Sequence, residues 1–84
     1  MKYLVRGSES VERVALLLKF TRINSEPQID GINDFLCKGA PLDIAAGSNG
    51  IEKPNLSRAL SILDEKAGIY EALKEEEGVY KSVK

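Results

Sequence analysis

Lys53, Asn55, Ser57, Arg58 and Ser61 bring two cations, an amide and two hydroxyls into nine consecutive residues. All five side chains can donate hydrogen bonds to phosphate oxygens, and several can also reach base edges, so their joint chemistry is that of a nucleic-acid contact. The residues around them supply a way to present it. In the window LDIAAGSNGIEKPNLSRALS, from Leu42 to Ser61, small and apolar residues fall where a helix-turn-helix needs them. Two closely crossing helices require a small residue at the fifth position, which is Ala46. The ninth position must turn the chain, and Gly50 reaches the left-handed backbone region at no steric cost. Ile51, Leu56 and Ala59, at the tenth, fifteenth and eighteenth positions, then face the core. The five polar residues are left facing outward, a set suited to a DNA groove. Asn49 departs from the pattern, because the eighth position is usually apolar. The same spacing also suits two ordinary packed helices with a tight turn, whose polar residues form a solvated face.

Arg58 has three candidate contacts: a phosphate, a guanine in the major groove, or a narrow A·T-rich minor groove. Lys53, beside the free amides of a helix N-terminus, suits a phosphate. Asn55 and Ser57 suit base edges or phosphates.

Catalytic chemistry is poorly provided for. The chain has no histidine, so the usual general base near neutral pH is missing and neither a Ser-His-Asp nor a Cys-His arrangement can be built. The single cysteine, Cys37, excludes an intramolecular disulfide and the common zinc sites. At the end of an apolar helical run it reads as a small hydrophobe, and it fits a reducing compartment. Gly47-Ser48-Asn49-Gly50 is too short for a phosphate-cradling loop, and no Lys-Ser/Thr pair follows it. The run Glu75-Glu76-Glu77 reads as a solvated face rather than a cation site. The expectation is a protein that is not an enzyme, with no cofactor, no metal and no small-molecule ligand.

The contact residues need a scaffold. The 84 residues, 43% of them hydrophobic, suit one domain spanning 1–84. With five aromatics and no Trp, its core must rest on Leu, Ile, Val and Ala. A domain this small buries about 60% of its unfolded surface and is marginal alone, so a homodimer or higher homo-oligomer is expected. The longest apolar run, Val14 to Leu18, is far too short for a membrane span, and no signal peptide is visible, so a cytoplasmic location is expected. The net charge is −1 from 12 basic and 13 acidic residues, so DNA binding requires an uneven distribution of charge. Acid gathers between Asp64 and Glu77, whereas Lys2, Arg6, Arg13, Lys19 and Arg22 lie early in the chain.

Apolar spacing and caps predict the elements. Ser8 or Ser10 caps a first helix running to about Thr21, with Val11, Val14, Ala15, Leu17 and Leu18 on a broad apolar face. Ser25 caps a second, with Pro27 in its first turn and Ile29, Ile32, Phe35 and Leu36 along one face, and Gly39 ends it. Pro41 opens a short third helix with Leu42, Ile44, Ala45 and Ala46, which stops at Gly47 to Gly50. Pro54 starts a fourth, with Leu56, Leu60 and Leu63 on one side, Ala59 and Ile62 beside them, and Gly68 closing it. After Gly68 a short fifth helix is the first reading. A β-hairpin wing, pairing Ile69–Lys74 with Val79–Lys84, is the second. The expected fold is all-α, a small four- to five-helix domain containing a helix-turn-helix, with the wing as its variant.

Leu4, Gly7, Ser8 and Ser10 spell an early Leu-x-x-Gly-Ser-x-Ser, and the second helix ends Phe35-Leu36-Cys37-Lys38-Gly39. Asn55-Leu56-Ser57-Arg58-Ala59-Leu60 then leads to Leu63. In these features, which align without a gap from about Leu4 to Tyr80, the chain resembles the PapB family of adhesin (fimbrial) operon transcriptional regulators. The resemblance implies an all-helical, oligomeric bacterial regulator that binds A/T-rich repeated sites in double-stranded DNA near fimbrial promoters, through the minor groove. It also implies activation and repression of the protein's own operon, because protomers loading side by side make occupancy steep in concentration. Family members carry a basic residue early in the scaffold helix and a cysteine a turn later. Here those positions are Leu42 and Ala46, so the two roles are not carried over. DNA binding then leans on Arg58 and Lys53, with a contribution from Lys38, and oligomerisation leans on apolar surface. The acidic tail and the missing scaffold-helix cation also suit a second reading, a protein-interaction module that binds or blocks another regulator without contacting DNA.

Overall fold

Each helix begins where the chain supplies a cap or a proline. In the computed structural model, which describes the backbone of residues 1–83 and the side chains of residues 1–75, Ser10 is extended and its hydroxyl accepts the Arg13 N–H at 3.1 Å. It thereby caps α1 (Val11–Leu18). α1 stops short of Thr21 because the amides of Lys19, Phe20 and Thr21 turn back to carbonyls three residues earlier, and the Thr21 hydroxyl donates to the Leu18 carbonyl at 2.8 Å. α2 (Glu26–Leu36) follows Ser25, with Pro27 in its first turn, and the chain reverses at Gly39, whose φ is +81°. α3 (Leu42–Ser48) follows Pro41, and α4 (Lys53–Val83) begins one residue before Pro54.

α4 runs unbroken through Gly68. The expected fifth helix and the β-hairpin wing are both absent: α4 is one 31-residue helix, and no strand occurs among the described residues. Glycine costs a helix interior only about 1 kcal/mol relative to Ala, which good helix formers on both sides outweigh. Here the missing side chain has a packing role. A Cβ on Gly68 would lie 2.6 Å from Cε2 of Tyr3, so the glycine makes the notch that receives the tyrosine ring. The N-terminal segment is fixed alongside by Asp64, whose carboxylate accepts the backbone N–H groups of Lys2, Tyr3 and Leu4 at 2.9, 2.8 and 2.9 Å. Burial works against the charge on Asp64, but the three N–H bonds outweigh it and hold the carboxyl below the ordinary carboxylate range.

The core joins Leu4 of this segment to Val14 and Leu17 of α1, Ile32 and Leu36 of α2, Ala45 and Ala46 of α3, and Leu56, Ala59, Leu60, Leu63 and Ala67 of α4. α2 lies against both α3 and α4, and it does so closely because Gly31 faces Ile51 and Leu56; a Cβ there would be 3.0 and 3.3 Å from their Cδ1 atoms. Arg13 links α1 to α4 through Glu71 at 3.4 Å. The broad apolar face expected of α1 is only partly used. Val11 and Ala15 are exposed, since α1 packs on α2 and α4 from one side only. Ile44 and Ile62 likewise point outward. No helix among the described residues is long and apolar enough to cross a membrane.

Candidate nucleic-acid interface

The site is built from α3, the turn after it and the first turns of α4. Ala45 and Ala46 are buried, which lets α3 approach its neighbours closely. Gly50 turns the chain with φ +67°, its N–H donating to the Gly47 carbonyl at 3.2 Å, and Ile51 N–H returns to the Ala46 carbonyl at 2.9 Å. Leu56 and Ala59 are buried beneath the first turns of α4, and Ile51 is half-buried against Gly31. Asn49, the residue that breaks the apolar pattern, replaces packing with two hydrogen bonds. Its Nδ2 donates to Asp34 Oδ2 of α2 at 2.9 Å and to the Ala45 carbonyl at 2.8 Å. The bond from Asn49, set against partial burial and aided by Lys38, holds the Asp34 carboxyl below its ordinary range.

Above this buried layer Lys53, Asn55, Ser57, Arg58 and Ser61 are all exposed. Helical periodicity sorts them into two neighbouring stripes: Lys53, Ser57 and Ser61 recur every fourth residue, while Asn55 and Arg58 share a side with Ile62. The Arg58 Nη2 donates to Asn55 Oδ1 at 3.1 Å, so the guanidinium and the amide lie together. The ion pairs among the described residues join Arg13 to Glu9 and Glu71, and Lys38 to Asp34, which leaves both Lys53 and Arg58 outside any of them. Glu52 and Glu65, both exposed, bracket the cationic stretch along the chain.

Two open clefts border this surface. One, of about 210 Å³, is lined by Ile23, Gln28, Asn55, Arg58, Ala59 and Ile62. The other, of about 490 Å³, lies between the first turns of α2 and α4, with Ser25, Gln28, Glu52 and Asn55 on its walls. Gln28 therefore stands between the clefts beside Asn55, and the Ser25 hydroxyl makes no capping bond that would occupy it. Neither residue belongs to the Leu42–Ser61 window, and no local spacing announces them, because only the α2–α4 packing brings them alongside.

Lys38 stands apart from the other five candidates. It is exposed beyond the C-terminal end of α2, lies 3.4 Å from Asp34, and lines a different hollow with Asp30, Asp34, Cys37 and Asn49. Nearby Cys37 is half-buried, with its Sγ 3.6 Å from Asn33 Oδ1; burial, then the charges of Glu9 and Glu12, push its thiol up, away from the reactive thiolate. No group of three or more His, Cys, Asp and Glu side chains that could hold a metal ion occurs among the described residues. No family model, curated protein or solved structure matches the chain.

Proposed function

We propose that α3 and α4 form a helix-turn-helix that presents the first turns of α4 to double-stranded DNA, and that the protein is an oligomeric cytoplasmic transcription regulator of the fimbrial-operon kind. One observation carries the reading: exposed Lys53, Asn55, Ser57, Arg58 and Ser61 lie over buried Ala46, Leu56 and Ala59, with the chain turned at Gly50. Lys53 meets a phosphate at the start of α4 through its own charge, since Pro54 has no N–H and the amides of Asn55 and Leu56 already donate to the Glu52 carbonyl. Arg58 and Asn55, already bonded to each other, act as a unit on the duplex, and Ser57 and Ser61 contact the backbone from the next stripe. The sequence likeness to the PapB family supports A/T-rich repeated sites as the target.

Binding of the full chain to A/T-rich fimbrial promoter duplexes, against scrambled duplexes across a salt series, tests this. Tighter binding to the A/T-rich sites supports the reading, and equal binding to both counts against it. Glu52 and Glu65, bracketing the cations, favour a second reading in which the same helices bind or block another regulator. A stoichiometric protein partner in a pull-down, with no DNA retardation at low salt, would select that one.

A further inference from the structure

We infer that the segment joining α1 to α2 is a second contact element of the DNA surface, with Arg22 as its phosphate ligand. The inference rests on the DNA reading of α4 and extends it to residues outside the α3–α4 unit. The walls of three hollows fix where the segment runs. Phe20 shares one with Lys66 and Ile69, Ile23 shares the next with Arg58 and Ile62, and Ser25 shares the third with Glu52 and Asn55. The chain from Phe20 to Ser25 therefore runs alongside α4 in the opposite direction, from its middle to its first turn. It forms the far wall of the cleft that holds Arg58 and Asn55.

Burial alternates along this wall. Ile23 is half-buried against the core, whereas Arg22 and Asn24 on either side of it are exposed and so stand at the rim of the Arg58 cleft. The backbone that presents Arg22 is pinned on both sides. The Thr21 hydroxyl donates to the Leu18 carbonyl at 2.8 Å and accepts the Ile23 N–H at 3.2 Å, so little order has to be imposed on the segment when it meets a ligand. Charge singles out Arg22 on this wall. It takes part in no ion pair or side-chain hydrogen bond among the described residues. The acids of this side, Glu26 and Glu52, lie at the other end, around Ser25, and Glu65 lines none of the three hollows. Arg22 and Arg58 are thus cations on opposite sides of one cleft. A duplex seated on the first turns of α4 passes a strand along that rim, where a planar guanidinium matches a phosphate in two hydrogen bonds.

The full chain is titrated by fluorescence anisotropy with an A/T-rich promoter duplex and a scrambled duplex across a salt series. Wild type, Arg22→Ala, Arg22→Lys and Arg6→Ala are compared, with circular dichroism confirming the fold. Arg6 is also exposed and outside any ion pair among the described residues, but it lines none of the three hollows, so its variant removes the same charge elsewhere. A phosphate contact is blind to sequence, so Arg22→Ala is expected to weaken both duplexes by the same factor, at least ~3-fold, and to make the slope of log K against log salt shallower by about 0.9. Arg22→Lys should keep the wild-type slope, and Arg6→Ala should change neither quantity. A folded Arg22→Ala that binds like the wild type overturns the inference. So does an equal loss in Arg6→Ala, which would reflect overall charge, or a lysine variant as weak as the alanine one, which would reflect a structural role. In each of these cases a wild-type preference for the A/T-rich duplex leaves the DNA reading standing. A wild type without that preference removes the reading and this inference together.

Discussion

Asn49 Nδ2 lies 2.9 Å from Asp34 Oδ2, a hydrogen bond that ties the end of α3 to α2 at the point where the chain turns toward α4. Because the same amide also donates to the Ala45 carbonyl, Asn49→Ala removes two bonds and leaves the half-buried Asp34 carboxylate without its amide donor. The expected cost is about 1–2 kcal/mol of unfolding free energy, read as a lowered urea midpoint. Asn49→Leu restores the apolar residue usual at that position but not the donor, so it is expected to recover little of the loss. Full recovery by leucine would show that packing, not the Asp34 bond, holds the turn.

Asp64 gives the fold a dependence on acid. Its carboxyl is held below the ordinary value of 3.8, because three backbone N–H bonds outweigh the opposing effect of burial. A carboxyl depressed in the folded state contributes stability that is fully present above that ordinary value and is lost as pH falls through the depressed one. Thermal melts of the wild type and Asp64→Asn should therefore differ by a constant amount near neutrality. The gap should close only as pH drops below 3.8. A gap that closes between pH values near 5 and 7 would contradict this assignment.

Gly68 and Tyr3 are expected to be energetically coupled. Gly68→Ala gains about 1 kcal/mol of helix propensity but pushes its new methyl against the tyrosine ring, so the single variant should be nearly neutral. In a Tyr3→Ala background the same change should stabilise by about that full amount, and the double-mutant cycle then reports the contact. Equal effects in the two backgrounds would mean that the ring does not occupy the notch.

Lys38 and Gln28 should separate in DNA binding. Lys38 pairs with Asp34 beyond the far end of α2, whereas Gln28 lies between the two clefts beside Asn55. Gln28→Ala is expected to weaken binding to A/T-rich duplex several-fold, and Lys38→Ala to change it little, both measured by fluorescence anisotropy. The reverse order would move the interface toward the α2 C-terminus.

The α3–α4 unit is readable in the sequence because its determinants are local. Gly50 turns the chain, Pro54 sits in the first turn of α4, and Ala46, Leu56 and Ala59 recur at core spacing. What escapes a local reading depends on distant partners. Gly68 resembles a helix stop until Tyr3, at the other end of the chain, is seen to fill its notch. Asn49 resembles a misfit until Asp34 takes its donor, and Gln28 carries no signal until α2 packs beside α4. The apolar face of α1 is narrower than its spacing implies for the same reason: spacing marks Val11 and Ala15 as facing inward, yet both are exposed, because α1 packs on α2 and α4 from one side.

The central claim is that the exposed polar face at the start of α4 contacts DNA, and Arg58→Ala tests it most directly. Affinity for A/T-rich promoter duplex is measured across a salt series for the wild type and the variant, with circular dichroism confirming an unchanged fold. Loss of this one contact should weaken binding about 10-fold or more. If the lost partner is a phosphate, the slope of log K against log salt should also become shallower by about 0.9. Unchanged affinity in a folded Arg58→Ala variant, or wild-type binding no tighter than to random DNA, would contradict the claim.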